Sequence, residues 1–439
     1  MKAILLDGSI RSNAVSDRFN TLTLQNLYKL GYQVENIVLR EKTIGNCAGD
    51  FYCWVRSPGL CNIKDDNIAI AESIINSDLV IYLTPITFGG YSSTLKKMVD
   101  HQIQTISPFF AVIEGETHHQ KRYERYPDFA VIGYSAENNL ASEAVFKQLV
   151  RRNAINFYAE NAACEIINSN LSEDQISKAI QTCLANLKSG LRPLPSPAPI
   201  ENQKLISPED VKRAVILVGS LKTRNSTSNS LSVYLSNKLN DNHIQTEIIY
   251  LYSILRSSEK VKAMLESIDS ADLISLVFQL YVDSLPAPVI KSLEIIAEHR
   301  NETKNSHHPL FTALANCGFP EAGHNTTALA ICELFAKQTG YLWGGSLSLG
   351  GGGMVNGVPL LQLGGRTAPI RKALDMAAES LIHGEAIPGQ AQSMIAKPVI
   401  PGWMYRLIGG ISWKQQAKKY HAHKQLNRKV YPIQSTSKE

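Results

Sequence analysis

Ala3-Ile4-Leu5-Leu6-Asp7-Gly8-Ser9-Ile10-Arg11-Ser12-Asn13-Ala14-Val15-Ser16 opens the chain as an apolar run, a Gly-Ser pair and a Ser/Asn/Arg turn that leads into a helix-compatible stretch. Val215-Ile216-Leu217-Val218-Gly219-Ser220 repeats the pattern, with Leu221 to Ser228 as its turn. Ser77-Asp78-Leu79-Val80-Ile81 is answered in the same way by Ala271-Asp272-Leu273-Ile274-Ser275. A repeat of about 200 residues is a duplicated domain, since solenoid periods are far shorter. The spacing between these landmarks is longer in the first copy, which places an insertion around Cys47 to Cys61. Apolar runs at 3–6, 33–39, 78–84, 129–134 and 162–167 alternate with helical segments. The second copy has runs at 214–218, 246–251, 273–278, 310–316 and 342–347. Such alternation predicts βαβ units and a parallel sheet covered on both faces. The expected fold is therefore α/β, with two tandem flavodoxin-like, doubly wound domains of five parallel strands each.

Leu191-Arg192-Pro193-Leu194-Pro195-Ser196-Pro197-Ala198-Pro199 cannot be helix and reads as a linker. The expected division is 1–190, a linker over 191–210, a second domain over 211–384 and a basic, aromatic tail over 385–439. The 439 residues are 44% hydrophobic and 19% charged, which excludes wholesale disorder. No long apolar run predicts a membrane-spanning helix, and the first residues lack the pattern of a signal peptide. Seven scattered cysteines do not form a disulfide framework, so a cytoplasmic protein is expected. Net charge is +5, but nine Lys/Arg against one acid fall from Lys397 onward, so the body carries no nucleic-acid footprint. In the tail, Trp403, Tyr405, Leu407, Ile408 and Trp413 lie among Arg406, Lys414, Lys418 and Lys419. A helix on a membrane surface has this composition, and so does one packed on its own body or a second copy. Packing is the favoured reading, because Pro401, Gly402, Gly409 and Gly410 interrupt a long amphipathic helix.

The loop after the first strand offers unpaired amides at a helix start, hydroxyl and amide donors on Ser9, Ser12, Asn13 and Ser16, and charge on Arg11. A terminal monophosphate suits it. The pattern is neither a Walker loop nor a dinucleotide fingerprint. Gly219 to Ser228 is as rich in donors. After the third strand comes Thr84-Pro85-Ile86-Thr87-Phe88-Gly89-Gly90-Tyr91-Ser92, at the place where doubly wound sheets bind ligands. Its peptide units suit the polar edge of a flat ring, and Pro85, Phe88 and Tyr91 suit its faces.

These motifs, with Leu95-Lys96 and the segment Cys47-Ala48-Gly49-Asp50-Phe51-Tyr52-Cys53-Trp54…Pro58-Gly59-Leu60-Cys61…Lys64-Asp65-Asp66, resemble the NAD(P)H-dependent FMN reductase and iron–sulfur flavoprotein families. The resemblance covers residues 1 to about 185. It implies FMN, with phosphate on Ser9, Arg11, Ser12, Asn13 and Ser16. The ring would lie along Pro85, Ile86, Thr87, Phe88, Gly89 and Gly90, closed by Gly133, Tyr134, Ser135 and Ala136. Iron–sulfur members carry four cysteines in a compact loop; here Asp50 stands in the second place, so an intact cluster is not expected. The second copy resembles another flavodoxin-like NAD(P)H oxidoreductase branch through Leu280-Tyr281-Val282-Asp283-Ser284-Leu285-Pro286 and Asn316-Cys317-Gly318-Phe319-Pro320-Glu321. There Ser220, Arg224, Ser226 and Ser228 would hold phosphate. Gln279, Leu280, Tyr281, Val282 and Asp283 would flank the ring on one side and Cys317, Gly318 and Phe319 on the other.

The expected activity is transfer of reducing equivalents from NAD(P)H through FMN to a small acceptor such as a quinone or flavin. No catalytic side chain and no metal is required. An electron carrier docking to protein partners is the rival, and a degenerate second copy kept for pairing, as a pseudo-dimer or homo-oligomer, is a third reading. His118-His119 and His307-His308 are expected in exposed loops, the first pair as a flap at the flavin mouth.

Overall fold

In the computed structural model, residues 1–187, 205, 211–304 and 306–431 are described. The proposed linker 191–210 lies outside them, apart from Leu205. The chain divides into two compact units: Met1–Leu194 together with Trp403–Glu439, and Pro195–Gly402. In the first unit, β1 (Lys2–Asp7), β2 (Gln33–Val38) and β3 (Leu79–Pro85) are followed by a hairpin of β4 (Ile106–Ile113) and β5 (Glu116–Lys121), then β6 (Asp128–Ser135) and β7 (Ala162–Asn168). The second unit holds β8 (Arg213–Gly219), β9 (Gln245–Tyr250), β10 (Leu273–Gln279), β11 (Leu310–Asn316) and β12 (Leu342–Leu349).

The two sheets run β2-β1-β3-β6-β7 and β9-β8-β10-β11-β12, all parallel. This is the 2-1-3-4-5 order of the flavodoxin-like doubly wound sheet, twice. Central strands are buried on both faces, which is why they read as unbroken apolar runs: Leu79–Thr84 and Leu273–Phe278 are entirely buried. The first strand of each sheet ends at the switch point where the connections diverge to either side.

Gly8 and Gly219 occupy that switch point for a packing reason. A Cβ on Gly8 would stand 2.5 Å from Leu95 Cβ, and one on Gly219 would stand 2.5 Å from Val289 Cγ2. Both contacts come from the helix after the third strand of the sheet. Before each of those helices is a tight two-residue turn. Thr87 and Gly90 exchange backbone hydrogen bonds (2.9 and 2.7 Å), and so do Tyr281 and Ser284 (3.0 and 3.1 Å). The central pairs, Phe88–Gly89 and Val282–Asp283, all have positive φ, at 52°, 78°, 44° and 57°. That combination belongs to a type I′ turn, and for a β-branched residue such as Val282 it is a strained one. Strain held at the same place in both units marks a shape the surrounding structure enforces.

Three expectations change. His118 and His119 lie on the hairpin rather than in an exposed loop: His118 is 2% exposed and pairs its Nδ1 with Asn156 Oδ1 at 2.8 Å, while the His119 ring lies 4.4 Å from Trp54. The tail does not stand apart. Ala386, Ile387, Ala391 and Ile395 are buried within the second unit. From Trp403 the chain joins the first unit, where Arg122 donates to the carbonyls of Leu426 and Arg428, both at 2.9 Å. Gly409 and Gly410 do not break the helix Gly402–Lys418. A Cβ on Gly409 would sit 2.7 Å from the Phe110 ring, so this glycine lets the helix approach β4 closely.

Candidate functional site

Between β1 and the helix Ala14–Lys29, residues 8–13 run as an open loop. Asn13 caps the helix, its Oδ1 accepting the Val15 and Ser16 amides (3.0 and 2.9 Å), and Ser16 Oγ accepts the Asn13 amide in return (3.1 Å). This capping box fixes the loop's exit. Its entry is fixed by Gly8, whose amide donates to Leu83 O at 2.7 Å and whose carbonyl accepts from Ser92 Oγ. Among the described residues, the amides of Ile10, Ser12 and Ala14 make no backbone hydrogen bond. Unsatisfied donors at a helix start, beside the exposed Arg11, fit a phosphate.

Two residues of this loop carry more than the sequence suggested. Asp7, 2% exposed, accepts the Ser9 amide (2.8 Å) and Asn20 Nδ2 (3.0 Å). Arg40, just beyond β2, donates to Ser9 Oγ and lies 3.7 Å from Asp7 Oδ2 and 4.0 Å from Asp17 Oδ1. Arg40 was not singled out from the sequence. Parallel register, which sets Asp7 beside Val38, brings it there.

The turn Thr87–Gly90 stands next to this loop, with Pro85 to Phe88 half-buried and Gly89 and Gly90 buried. Ile86 donates to Tyr134 O (2.9 Å), and Gly133 faces Ile86 and Phe146, where a Cβ would come within 3.0 and 2.8 Å. The Tyr134 ring stacks on Phe19 at 4.6 Å, with its hydroxyl near enough to feel the charges of Asp7, Arg40 and Asp17 beside the phosphate loop. Ser135 is half-buried, its Oγ accepting the Glu137 amide at 3.2 Å.

The second unit places its counterparts differently. Its loop closes on itself: Thr223 donates to Ser220 O (3.1 Å), Asn225 to Lys222 O (3.0 Å) and Ser226 Oγ to Thr223 O (2.6 Å). Ser228 is fully buried and takes Asn316 Nδ2 at 3.0 Å, so it ties the helix to β11. Ser220 and Ser226 are buried and Arg224 is exposed. The glycine run 350–353 lies over both flanks: Gly351 and Gly352 donate to Phe319 O and Cys317 O (2.7 and 2.8 Å), and Gly352 O accepts from Thr227 Oγ1 (2.7 Å). Gly357 packs where a Cβ would be 2.9 Å from the Asn225 backbone. Leu280, Tyr281 and Val282 are half-buried, Asp283 and Cys317 are buried, Gly318 is exposed and Phe319 is half-buried under this strap.

In the first unit, Cys47, Asp50, Cys53 and Cys61 line one small cavity with His101 and Gln104. Burial pushes the Cys47 thiol up to about 12, and Cys53 well above the ordinary thiol range. Cys61 also rises through burial, against the Ile63 amide on its sulfur. The thiols thus stay protonated at neutral pH. For groups raised in the folded state, the stabilisation is complete below the unfolded thiol value and is lost as pH climbs toward the folded one. Unfolding midpoints in urea are therefore expected to hold up to about pH 9 and fall between about 9 and 12. Iodoacetamide at pH 8 should leave the buried Cys53 unlabelled until urea is added and label the half-buried Cys47 and Cys61 only slowly; rapid native labelling of Cys53 would contradict the placement.

A profile of the NADPH-dependent FMN reductase family matches residues 1–142. An iron-sulfur flavoprotein of Methanocaldococcus jannaschii is 31% identical over 100 residues, 23% of this chain and 51% of the relative. One from Archaeoglobus fulgidus is 30% identical over 105 residues, 23% and 48%. The chain thus spans about half the length of the curated relatives it matches. Among solved structures, an azoreductase aligns at 15% identity over 43% of this chain and 100% of its own, TM-score 0.31. An NAD(P)H:quinone oxidoreductase from Methanothermobacter marburgensis aligns at 16% identity over 39% and 96%, TM-score 0.30. The curated relatives are named iron-sulfur flavoproteins, and a four-iron cluster is normally held by four thiolates. Here three cysteines and a carboxylate line the cavity, one thiolate short of that set. The donor set does not fit. Residues 1–142, on a flavodoxin-like sheet, match the NADPH-dependent FMN reductase family.

Proposed function

We propose that the first unit binds FMN and works as an NAD(P)H oxidoreductase that reduces a small planar acceptor such as a quinone or flavin. The observation that carries this reading is the open loop 8–13, with unsatisfied amides at the switch point, set beside the strained turn Thr87–Gly90. Ser9, Arg11, Ser12, Asn13 and Ser16 would surround the phosphate, with Arg40 offsetting Asp7. Pro85, Ile86, Thr87, Phe88, Gly89 and Gly90 would border the ring, with the backbone from Gly133 to Ser135 on its far side. FMN, when bound, supplies the two-electron chemistry between nicotinamide and acceptor. The protein orients the ring, keeps water from one face, and presents peptide dipoles to the edge where charge develops.

The second unit is read as a structural partner, because the glycine strap 350–353 lies over both flanks of its loop. One FMN per chain is expected after reconstitution, with oxidation of NADH or NADPH. Ser9→Ala/Arg11→Ala should lose the flavin, and Ser220→Ala/Arg224→Ala should keep it. A colourless protein that oxidises neither nucleotide would end the reading.

A further inference from the structure

The helix Gly402–Lys418 is apolar on both sides. Its inner side packs on the first unit. Tyr405 lies 5.3 Å from Phe110, Trp413 lies 5.2 Å from both Phe51 and Trp54, and Ala417 is fully buried. At 3.6 residues per turn, Trp403, Leu407 and Ile411 form a stripe on the opposite side, with Ile408 beside them. These four are 61%, 59%, 50% and 52% exposed. Val112, across the hairpin from the Thr117 that bonds Arg406, extends the patch at 55%. A helix that is hydrophobic all round is ordinarily buried, and a contiguous exposed patch marks an interaction surface.

Charge identifies what covers it. The helix carries Arg406, Lys414 and Lys418 and no acid, and Lys419, Lys424, Arg428 and Lys429 follow. Nearby acids are engaged: Glu114 with Arg151, Glu116 with Arg152 at 3.0 Å, Glu124 with Lys429 at 2.6 Å. Lys414 and Lys418 have no carboxylate within ion-pair distance among the described residues. A second copy docking through the same face would bring like cations together. A sheet of anionic headgroups over acyl chains would accept the cations and the apolar stripe at once.

We propose that Gly402–Lys418 lies along the surface of an anionic lipid bilayer, with Trp403, Leu407, Ile408 and Ile411 entering the boundary between headgroups and chains. It lies on the bilayer rather than through it, since no described helix is long and apolar enough to cross. The inference does not depend on the flavin reading.

The test is co-sedimentation of the full chain with vesicles of mixed phosphatidylcholine and phosphatidylglycerol, and with vesicles of phosphatidylcholine alone. Binding is expected to the mixed vesicles, to weaken with added salt, and to shift Trp403 emission to the blue, with Trp403→Phe removing the shift. Leu407→Glu/Ile411→Glu should lower binding by about tenfold or more. Both positions are exposed, so the circular dichroism of that variant should match the parent. Equal recovery with and without vesicles would overturn the proposal. So would a dimer in light scattering that Leu407→Glu/Ile411→Glu dissociates, because a second copy would then be the occupant.

Discussion

Arg40→Ala is expected to weaken FMN binding by the first unit on the order of a hundredfold, about 2.7 kcal/mol. Arg40 reaches over the loop from the end of β2 with 19% of its side chain exposed, donating to Ser9 Oγ and standing 3.7 Å from Asp7. Asp7 cannot turn away, because the Ser9 amide and Asn20 hold it. Without the guanidinium, a phosphate dianion entering the loop would meet the Asp7 and Asp17 carboxylates with only the exposed Arg11 to offset them. Removing one member of a buried charge pair costs more than the pair contributes, since the survivor is left uncompensated. Two further variants separate this from simple misfolding. Asp7→Asn/Arg40→Ala should recover most of the lost affinity, and Arg40→Lys should keep part of it. Fluorescence titration of FMN measures all three. An unchanged affinity in Arg40→Ala would remove the loop's electrostatic account.

Arg40 also shows where sequence reading stops. The central strands of the two sheets were legible because parallel strands buried on both faces must be apolar throughout, as Leu79–Leu83 and Ala214–Val218 are. Gly8 and Ser9 were legible because a Gly-Ser pair after such a run has few other uses. The hairpin Ile106–Lys121 was not, because its inner face is covered by Tyr405 and Arg406, nearly three hundred residues downstream, and no local pattern announces that cover. Gly409 and Gly410 have the letters of a helix breaker, yet Gly409 acts as a packing notch, which the Phe110 ring explains. Strand alternation sends the Tyr134 side chain to the face opposite Gly133, toward Phe19. The use of the glycine run 350–353 as a strap over Cys317 and Thr227 depends on how far the chain after β12 travels back.

Asp100→Ala is expected to destabilise the first unit by about 3–5 kcal/mol, lowering its melting temperature on the order of 10 °C. Lys96 and Asp100 are one turn apart on the helix Ser93–His101, their side chains 0% and 2% exposed, and they form an ion pair with each other. Deleting the carboxylate removes the ion-pair partner of a buried ammonium group, which costs more than the pair contributes. Lys96→Met leaves the reverse problem, and a buried anion beside Cys47, whose thiol Asp100 already helps to raise. Replacing both groups together, as Lys96→Met/Asp100→Leu, removes the two desolvation costs with the attraction and should bring stability back to within about 1–2 kcal/mol of the parent. The effect reaches the cofactor loop, because this helix begins at Ser92, which donates to Gly8 O, and presents Leu95 to Gly8. A loosened helix should therefore release FMN in proportion to its loss of stability, while the double variant should retain it. If Asp100→Ala melts with the parent, the pair is not the anchor of the switch point, and Leu95 packing alone must hold Gly8 in place.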